Sequence, residues 1–305
     1  MTATTLPRFV VFGEALTDFV RTADQNWTSV AGGACWNVAR VTGTLDIPTA
    51  WAGAVSDDFF GEEIVEKSAK AHLDLRFLQK VSKPPLIAMV HQTAPPRYFF
   101  LGNDAADLAF DQNKLPTGWQ DACEIAHFGC ISLVRQPLGE RLVGIARDLK
   151  RRGVRISYDP NYRNLMGPNF SQQFEEMAKL SDIIKLSDED LEQIYPNIAS
   201  KVSLQRVREI APQADILFTR GASGLALLTP TDTIEQPAFA VTVADTVGAG
   251  DACIGGFIGS LLLTPDQDSR HHLRFAAATA AAACTHTGAY APTRAQVEAL
   301  IGANA

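Results

Sequence analysis

The sequence lacks the features that would place the protein at a membrane or on a nucleic acid. None of its uninterrupted apolar stretches reaches the roughly 20 residues that a membrane-spanning helix needs. Residues 1–5 lead almost directly into a strand pattern, without a basic and then apolar signal region. The formal net charge of -7 leaves no excess of basic residues to bind nucleic acid or anionic lipid. These absences predict a soluble, cytoplasmic protein with no nucleic-acid or membrane partner.

Cysteine is sparse, and no two cysteines form a Cys-x-x-Cys pair. The five cysteines are Cys35, Cys123, Cys130, Cys253 and Cys284. An odd number without metal-type spacing indicates neither a disulfide framework nor a zinc site. We therefore expect buried, reduced thiols.

The common phosphate-binding string Gly-x-x-x-x-Gly-Lys-Ser/Thr is also missing. The small-residue turn at 245–251, Asp-Thr-Val-Gly-Ala-Gly-Asp, offers a different route to the same ligand. Gly248 and Gly250 can bring several backbone N–H groups to one point, and a helix predicted to start there adds unpaired donors and a positive dipole end. Such a turn suits an anion, with phosphate as the leading candidate.

Asp251 places a carboxylate at the rim of that turn, where an anion is expected to bind. A negative charge beside an anion site favours a catalytic role over simple anion binding. A carboxylate can accept a proton from a hydroxyl while the turn stabilises a transferring phosphoryl group. The alternative is an ordinary helix N-cap.

Strands and helices alternate regularly from Ala126 onward, which predicts right-handed crossovers and a parallel sheet covered on both faces. A first buried strand is predicted at 8–13. The segments at about 16–30 and 75–101 do not alternate with long helices, and they predict a small sheet that covers the site as a lid. We expect a single α/β domain over residues 1–305.

Two motifs together resemble a known family. The turn at 245–251 resembles the C-terminal signature of the ribokinase-like, or PfkB, carbohydrate kinases, and Gly-Gly-Ala-Cys-Trp-Asn-Val-Ala at 32–39 resembles their N-terminal signature. The similarity extends from Phe12 to Gly288. The segments most similar to the fructokinase branch are 13–18, 127–132 and 159–163.

The resemblance implies a three-layer α/β/α sandwich with a mostly parallel central sheet and a small β-sheet lid. It also implies transfer of the γ-phosphoryl group of ATP to a primary hydroxyl, with fructose to fructose 6-phosphate as the leading reaction. Paired lids imply a homodimer.

The resemblance further assigns site residues. Asp251 is the base, with Gly248, Ala249 and Gly250 as the anion hole. The sugar-binding positions are Asp18, Gly32, Gly33, Asn37, Arg97 and Arg163. The nucleotide-binding positions are Lys185, Ser187, Thr219, Gly221, Gly224, Gly248 and Gly250.

Metal sites are implied at two places. Mg²⁺ is expected near Asp190, because Ser187 and Asp190 stand where much of the family has Asn-x-x-Glu; an acidic helix cap without a metal is the alternative. A monovalent cation such as K⁺ is implied at a loop formed by Asp245, Val247, Ala283, His286 and Gly288. His127 is instead predicted to be a packed strand histidine, because no second ligand lies at a useful spacing.

Several functions remain open. A kinase for 2-keto-3-deoxygluconate would use Arg97 and Arg163 to bind the substrate carboxylate. Ribose or a nucleoside is a further substrate candidate. A sugar sensor without turnover is the alternative of another class, because Ala277 and the magnesium positions depart from the family pattern. Trp36, directly before Asn37, leaves the shape of the pocket open.

Overall fold

A computed structural model describes residues 5–23, 25–93, 96–167 and 170–304, without the side chains of Thr93, Pro96 and Arg97. The strands in this part of the chain are β1 (Phe9–Phe12), β2 (Leu16–Ala23), β3 (Asn26–Gly32), β4 (Thr49–Ser56), β5 (Leu78–Val81), β6 (Ile87–Thr93), β7 (Pro96–Leu101), β8 (Ile125–Gly129), β9 (Arg155–Asp159), β10 (Ile183–Ser187), β11 (Asp215–Thr219), β12 (Leu225–Leu228) and β13 (Thr233–Gln236). The α-helices are α1 (Ala34–Thr44), α2 (Phe59–Lys70), α3 (Trp119–Ala122), α4 (Leu138–Arg151), α5 (Phe170–Leu180), α6 (Asp188–Ile194), α7 (Ser200–Ile210), α8 (Ala249–Leu263), α9 (Ser269–Cys284) and α10 (Arg294–Ala303).

The large sheet has nine strands in the order β13-β12-β11-β10-β9-β8-β1-β4-β5. Every pair from β11 to β5 is parallel, and only β12 and β13 run antiparallel to their neighbours. The prediction of a mostly parallel sheet is confirmed. Because parallel strands point the same way, the residues that follow them gather along one edge.

Helices cover both faces of this sheet, as the alternation along β1 shows. Phe9 and Val11 pack into one core with side chains of α1, α8 and α9, whereas Val10 and Phe12 pack into the other with side chains of α4 and α5. Each such fully buried side chain contributes about 1.5–3 kcal/mol to the free energy of unfolding. The predicted three-layer sandwich is therefore confirmed.

The small sheet has the strand order β3-β2-β6-β7 and consists of two antiparallel hairpins joined by the parallel pair β2 and β6. The predicted lid segment 75–101 is too broad, because β5 pairs in parallel with β4 and forms an edge of the large sheet. The short helix α2 carries the chain from β4 back to β5, as in an ordinary crossover unit. Among the described residues of that segment, only Ile87–Thr93 and Pro96–Leu101 contribute strands to the small sheet.

His127 is packed inside the large sheet. Its Nδ1 lies 2.9 Å from Ser157 Oγ, and burial lowers its pKa to about 3. The neutral ring in a buried strand confirms the prediction of a packed histidine. The five cysteines carry no disulfide, as expected from their spacing.

Within the four described segments, no helix has both the length and the hydropathy that crossing a membrane requires.

Candidate active site

The turn at 245–251 opens helix α8. Its N-cap, Gly248, has a φ of 77°, and a Cβ on this residue would lie 2.9 Å from Ala289 Cα, so only glycine fits. The amide of Ala249 donates to Thr246 O over 3.1 Å. Among the described residues, no protein acceptor faces the amides of Gly248, Gly250 and Asp251. Free donors at a helix N-terminus are suited to bind an anion, so the geometry is compatible with the predicted role of this turn.

Asp251 is buried at this helix end. Asn37 Nδ2 donates to Asp251 Oδ2 over 2.9 Å. Burial raises the pKa of Asp251 to about 6, against the opposing effects of the Asn37 hydrogen bond and of Lys185. A carboxylate with this pKa is suited to accept a proton near neutral pH.

Helix α1 brings Asn37 to Asp251 because glycines let it pack closely against α8. A Cβ on Gly255 would lie 2.8 Å from Val41 Cγ1, too close for any larger residue without a shift. The bulky Trp36 does not obstruct this approach, since its indole is fully buried and donates to Ser68 Oγ over 2.9 Å.

The other predicted sugar-side residues lie beside this pair. Asp18 sits in β2, and a Cβ on Gly32 in the neighbouring strand would lie 2.3 Å from Asp18 Oδ2. Gly33, the N-cap of α1, has a φ of 115°, and a Cβ there would lie 2.7 Å from Glu14 O. Burial raises the pKa of Asp18 to about 7, and the charges of Glu14 and Asp251 act in the same direction.

Arg163 connects the two sheets. Its Nη1 donates to Asn161 Oδ1 over 2.7 Å and to Tyr162 O over 2.8 Å, and its guanidinium lies 5.3 Å from the ring centroid of Tyr98 in β7. The backbone of Arg97 pairs with Gln92 in the small sheet. The predicted contact of the Arg97 side chain with the substrate lies outside the described residues.

Lys185 lies on the other side of the anion turn. Its Nζ is 3.2 Å from Asp159 Oδ2 and 3.6 Å from Asp190 Oδ2, and a Cβ on Gly250 would lie 3.3 Å from it. Burial alone would lower the pKa of Lys185, but the two carboxylates raise it. A charged ammonium therefore lies against the turn at 245–251, next to Gly250.

Asp190 is held as a helix cap. It accepts from the amides of Tyr162 and Ser187 over 2.8 and 2.9 Å, and Ser187 Oγ accepts from its amide over 2.9 Å. Burial raises the pKa of Asp190, but Lys185 and these hydrogen bonds outweigh it and lower the pKa. Across the described residues, no group of three or more His, Cys, Asp or Glu side chains is arranged to hold a metal ion. Each carboxylate oxygen of Asp190 thus already accepts a hydrogen bond from a backbone amide.

The remaining predicted nucleotide residues follow β11. Thr219 pairs in register with Ser187, so both lie at the carboxyl edge of the sheet. Gly224 has a φ of 85°, and a Cβ there would lie 2.3 Å from Gln236 O. Gly221 has a φ of 52°, and a Cβ there would meet nothing within 4 Å.

Of the five positions assigned to a monovalent cation, Asp245 and Val247 lie in the loop before α8, Ala283 lies in the last turn of α9, and His286 and Gly288 lie in the loop that follows α9. Asp245 Oδ1 accepts from Val247 N over 3.1 Å, and Asp245 Oδ2 accepts from Gly288 N over 2.8 Å. The amide of His286 donates to Ala283 O over 3.2 Å. Asp245 thus organises the backbone of both loops.

Two further residues of the site carried no role in the sequence-based prediction. Glu14 is buried directly after β1; Ser132 Oγ donates to its Oε2 over 2.7 Å, its Oε1 has no partner, and burial raises its pKa. Its position at a strand end was a usable signal. Arg40 donates from Nη1 to Asn37 Oδ1 and to Ala289 O, and no sequence signal marks that contact.

The chain is similar to known carbohydrate kinases over most of its length. A fructokinase of Rhizobium leguminosarum bv. trifolii is 32% identical over 268 residues, 84% of this chain and 81% of that protein. Probable fructokinase-5 of Arabidopsis thaliana is 28% identical over 97% of both chains. The solved structure of a Xylella fastidiosa fructokinase with bound ATP has a TM-score of 0.88 at 26% identity and covers 98% of this chain and 99% of its own.

The family described as "pfkB family carbohydrate kinase" matches residues 7–296, nearly the whole chain. The predicted resemblance is thereby confirmed, and with it the prediction of a sugar phosphotransferase. The chain belongs to the pfkB family of carbohydrate kinases.

Proposed function

We propose that the protein is an ATP-dependent fructokinase that converts fructose to fructose 6-phosphate. The observation that carries the proposal is the position of Asp251. Its carboxylate lies at the anion turn, and Asn37 holds it by a hydrogen bond of 2.9 Å. The similarity to fructokinases over 84% of this chain or more supports the choice of sugar.

In this proposal Asp251 removes a proton from the primary hydroxyl as the hydroxyl oxygen attacks the γ-phosphorus of ATP. The bond from that phosphorus to the bridging oxygen breaks, and ADP leaves with the electron pair. The free amides at the start of α8 and the Lys185 ammonium stabilise the negative charge on the transferring group. Asp18, Gly32, Gly33, Asn37 and Arg163 would orient the sugar.

A neutral sugar suits the charges of the crevice better than an acidic one. Glu14 raises the pKa of both Asp18 and Asp251, and Asp251 also raises the pKa of Asp18. A substrate carboxylate would add a fourth acidic group beside them. Arg163 opposes these charges at Asp18 and Asp251, and its Nη1 is already engaged with Asn161 and Tyr162. The acidic sugar 2-keto-3-deoxygluconate therefore ranks behind fructose.

Bound ions would assist at two places. Mg²⁺ would neutralise the phosphates of ATP, and the cap geometry of Asp190 would limit that residue to contact through water. K⁺ would bind at the loops organised by Asp245, where main-chain carbonyls would supply the ligands. Thr219, Gly221 and Gly224 would border the nucleotide at the end of β11.

The proposal includes a homodimer that forms through the small sheet. Large apolar side chains are exposed on its two outer strands: Trp27, Val30, Phe99 and Leu101 are between 38% and 59% exposed. Large apolar side chains exposed on the edge strands of a small sheet are typical of a surface that another chain covers. Light scattering behind a sizing column would give twice the chain mass for the wild type and a monomer for Phe99→Asp.

The substrate is tested by measuring ADP release with ATP and a panel of sugars. The panel holds fructose, 2-keto-3-deoxygluconate, ribose and a nucleoside. Fructose is expected to give the highest kcat/KM, and a higher value for any other sugar contradicts the proposed substrate. Saturable sugar binding without ADP from any panel member would indicate a sensor instead.

A further inference from the structure

Arg40 lies one helical turn after Asn37 on α1 and contacts the catalytic region at two points. Its Nη1 donates to Asn37 Oδ1 over 3.3 Å and to Ala289 O over 3.2 Å. Its guanidinium lies 4.6 Å from the ring centroid of Trp36. The fully buried indole of Trp36 gives the arginine a rigid support.

The contact with Asn37 decides how the asparagine amide is oriented. An arginine can only donate hydrogen bonds, so the carbonyl end of the amide must face it. The NH₂ end then faces Asp251, where Nδ2 donates to Oδ2 over 2.9 Å. With the opposite orientation, the amide oxygen would face the carboxylate and repel it.

The contact with Ala289 reaches the anion turn. Ala289 packs against Gly248, since a Cβ on that glycine would lie 2.8 Å from Ala289 Cβ. The adjacent residue Gly288 donates from its amide to Asp245 at the start of the same turn. Arg40 therefore touches both the residue that holds the carboxylate and the loop that supports the phosphate-binding amides.

We propose that Arg40 is a positioning residue that acts through Asn37 and Ala289 to align the Asp251 carboxylate with the anion turn. The assignment concerns the phosphoryl-transfer site described above and rests on the role proposed for Asp251 in it. Arg40 also adds a positive charge that favours the ionised form of the base.

Other charged groups face Asp251 and contribute to its titration. They are Lys185 on β10, Asp159 on β9, Arg163 after β9, Glu14 after β1 and Asp18 on β2. None of them contacts the Asn37 amide. Loss of Arg40 should therefore act on the base mainly through Asn37.

The test compares Arg40→Met, which removes the charge and the donors, with Arg40→Lys, which keeps the charge. Arg206→Met is the matched control, because Arg206 on α7 likewise stacks on an aromatic ring, that of Tyr195 directly after α6, at 5.7 Å. A plot of kcat/KM against pH should fall on its acidic side as Asp251 becomes protonated. For Arg40→Met we expect the midpoint of this fall to move up by about one pH unit, and kcat/KM at pH 7 to fall about tenfold or more. Arg40→Lys should keep the position of the midpoint and lose less activity.

A purely structural role would lower the thermal unfolding temperature without moving the midpoint. Unfolding curves of both variants and the control separate that case, and an unmoved midpoint in folded Arg40→Met overturns the proposal. The double variant with Asn37→Ala is a second test. Because Arg40 acts partly through Asn37, adding Arg40→Met to Asn37→Ala should cost clearly less in kcat/KM than Arg40→Met costs in the wild type, and a fully additive loss would contradict the proposal.

All variants are assayed with the sugar that the wild type phosphorylates fastest. If that sugar is not fructose, the proposed substrate is wrong while the comparison of the Arg40 variants still decides their role.

Discussion

Carboxyl groups on the two sides of the crevice are held in different ways. On the lysine side, defined by Lys185, Asp159 and Asp190, Asp190 accepts from two backbone amides and faces the ammonium, and its pKa is lowered. On the asparagine side, defined by Asn37, Asp251 and Asp18, burial raises the pKa values of Asp18 and Asp251. Satisfied carboxylates fix a charge in place, whereas unsatisfied ones are ready to exchange a proton.

Asp159 shows how the two sides meet. It pairs with Lys185, yet burial together with the charges of Asp190 and Asp251 raises its pKa to about 7. The single ammonium of Lys185 cannot neutralise both Asp159 and Asp190. Asp159, which accepts fewer hydrogen bonds from backbone amides, therefore holds its proton more tightly than Asp190 does.

The largest expected effect is on the asparagine side. Replacing Asp251 by Asn removes the proton acceptor while keeping the shape, and should lower kcat by roughly 10² to 10⁴. Isothermal titration should show that sugar affinity changes only a few-fold. Near-normal turnover of this variant would mean that another group serves as the base.

The next largest effect is on the lysine side and concerns stability. Lys185→Met leaves Asp159 and Asp190 buried without their counterion and should lower the free energy of unfolding by about 3–5 kcal/mol. Lys150→Met removes a partly exposed partner of Asp182 and should cost no more than about 1 kcal/mol. Urea unfolding measures both, and equal losses would remove the distinction between buried and exposed pairs. The KM for ATP should rise only in Lys185→Met.

Asp18→Asn should have opposite effects on activity and stability. Because the folded protein holds the Asp18 proton up to a pKa of about 7, between pH about 4 and 7 it binds this proton more tightly than the unfolded chain. The stability contribution of Asp18 therefore falls as the pH rises through that window. The Asp18→Asn variant should therefore have a free energy of unfolding that is higher by about 1–3 kcal/mol at pH 7, and a kcat/KM for the sugar that is lower by about 10²-fold.

The control for this prediction is Asp104→Asn, at an exposed position, which should change neither quantity. A destabilised Asp18→Asn variant would contradict the prediction.

The smallest effect is a pH dependence of the unmodified enzyme. Asp251 must be ionised to accept a proton, so kcat/KM should be constant above its pKa of about 6 and fall about tenfold per pH unit below it. The fall of kcat/KM below about pH 6 should persist in the Asp18→Asn variant. If it disappears there, Asp18 rather than Asp251 is the group that titrates.

Sequence reasoning located the residues that follow strands or occupy glycine turns. Asp18, Asn37, Gly248 and Asp251 come together because parallel strands end at one edge and because helix starts supply free amides. Local pattern alone identified Gly248 and Asp251, whereas the roles of Asp18 and Asn37 came from the resemblance to the family.

Contacts between distant parts of the chain were out of reach. Arg40 and Ala289 are 249 positions apart, and nothing in either segment marks their hydrogen bond. The unpaired oxygen of Glu14 likewise depends on what surrounds it rather than on its neighbours in sequence. The strand β5 was misplaced because a four-residue strand carries too little pattern to reveal which sheet it joins.

The hydrogen bond between Asn37 and Asp251 spans 214 positions of the chain. During synthesis Asn37 therefore emerges long before Asp251 and the turn at 245–251, and β1 is made well before its neighbour β8. If Asp251 is the base, as proposed, a chain still on the ribosome has no complete active site until α8 has been made, so an unfinished molecule has no means of consuming nucleotide.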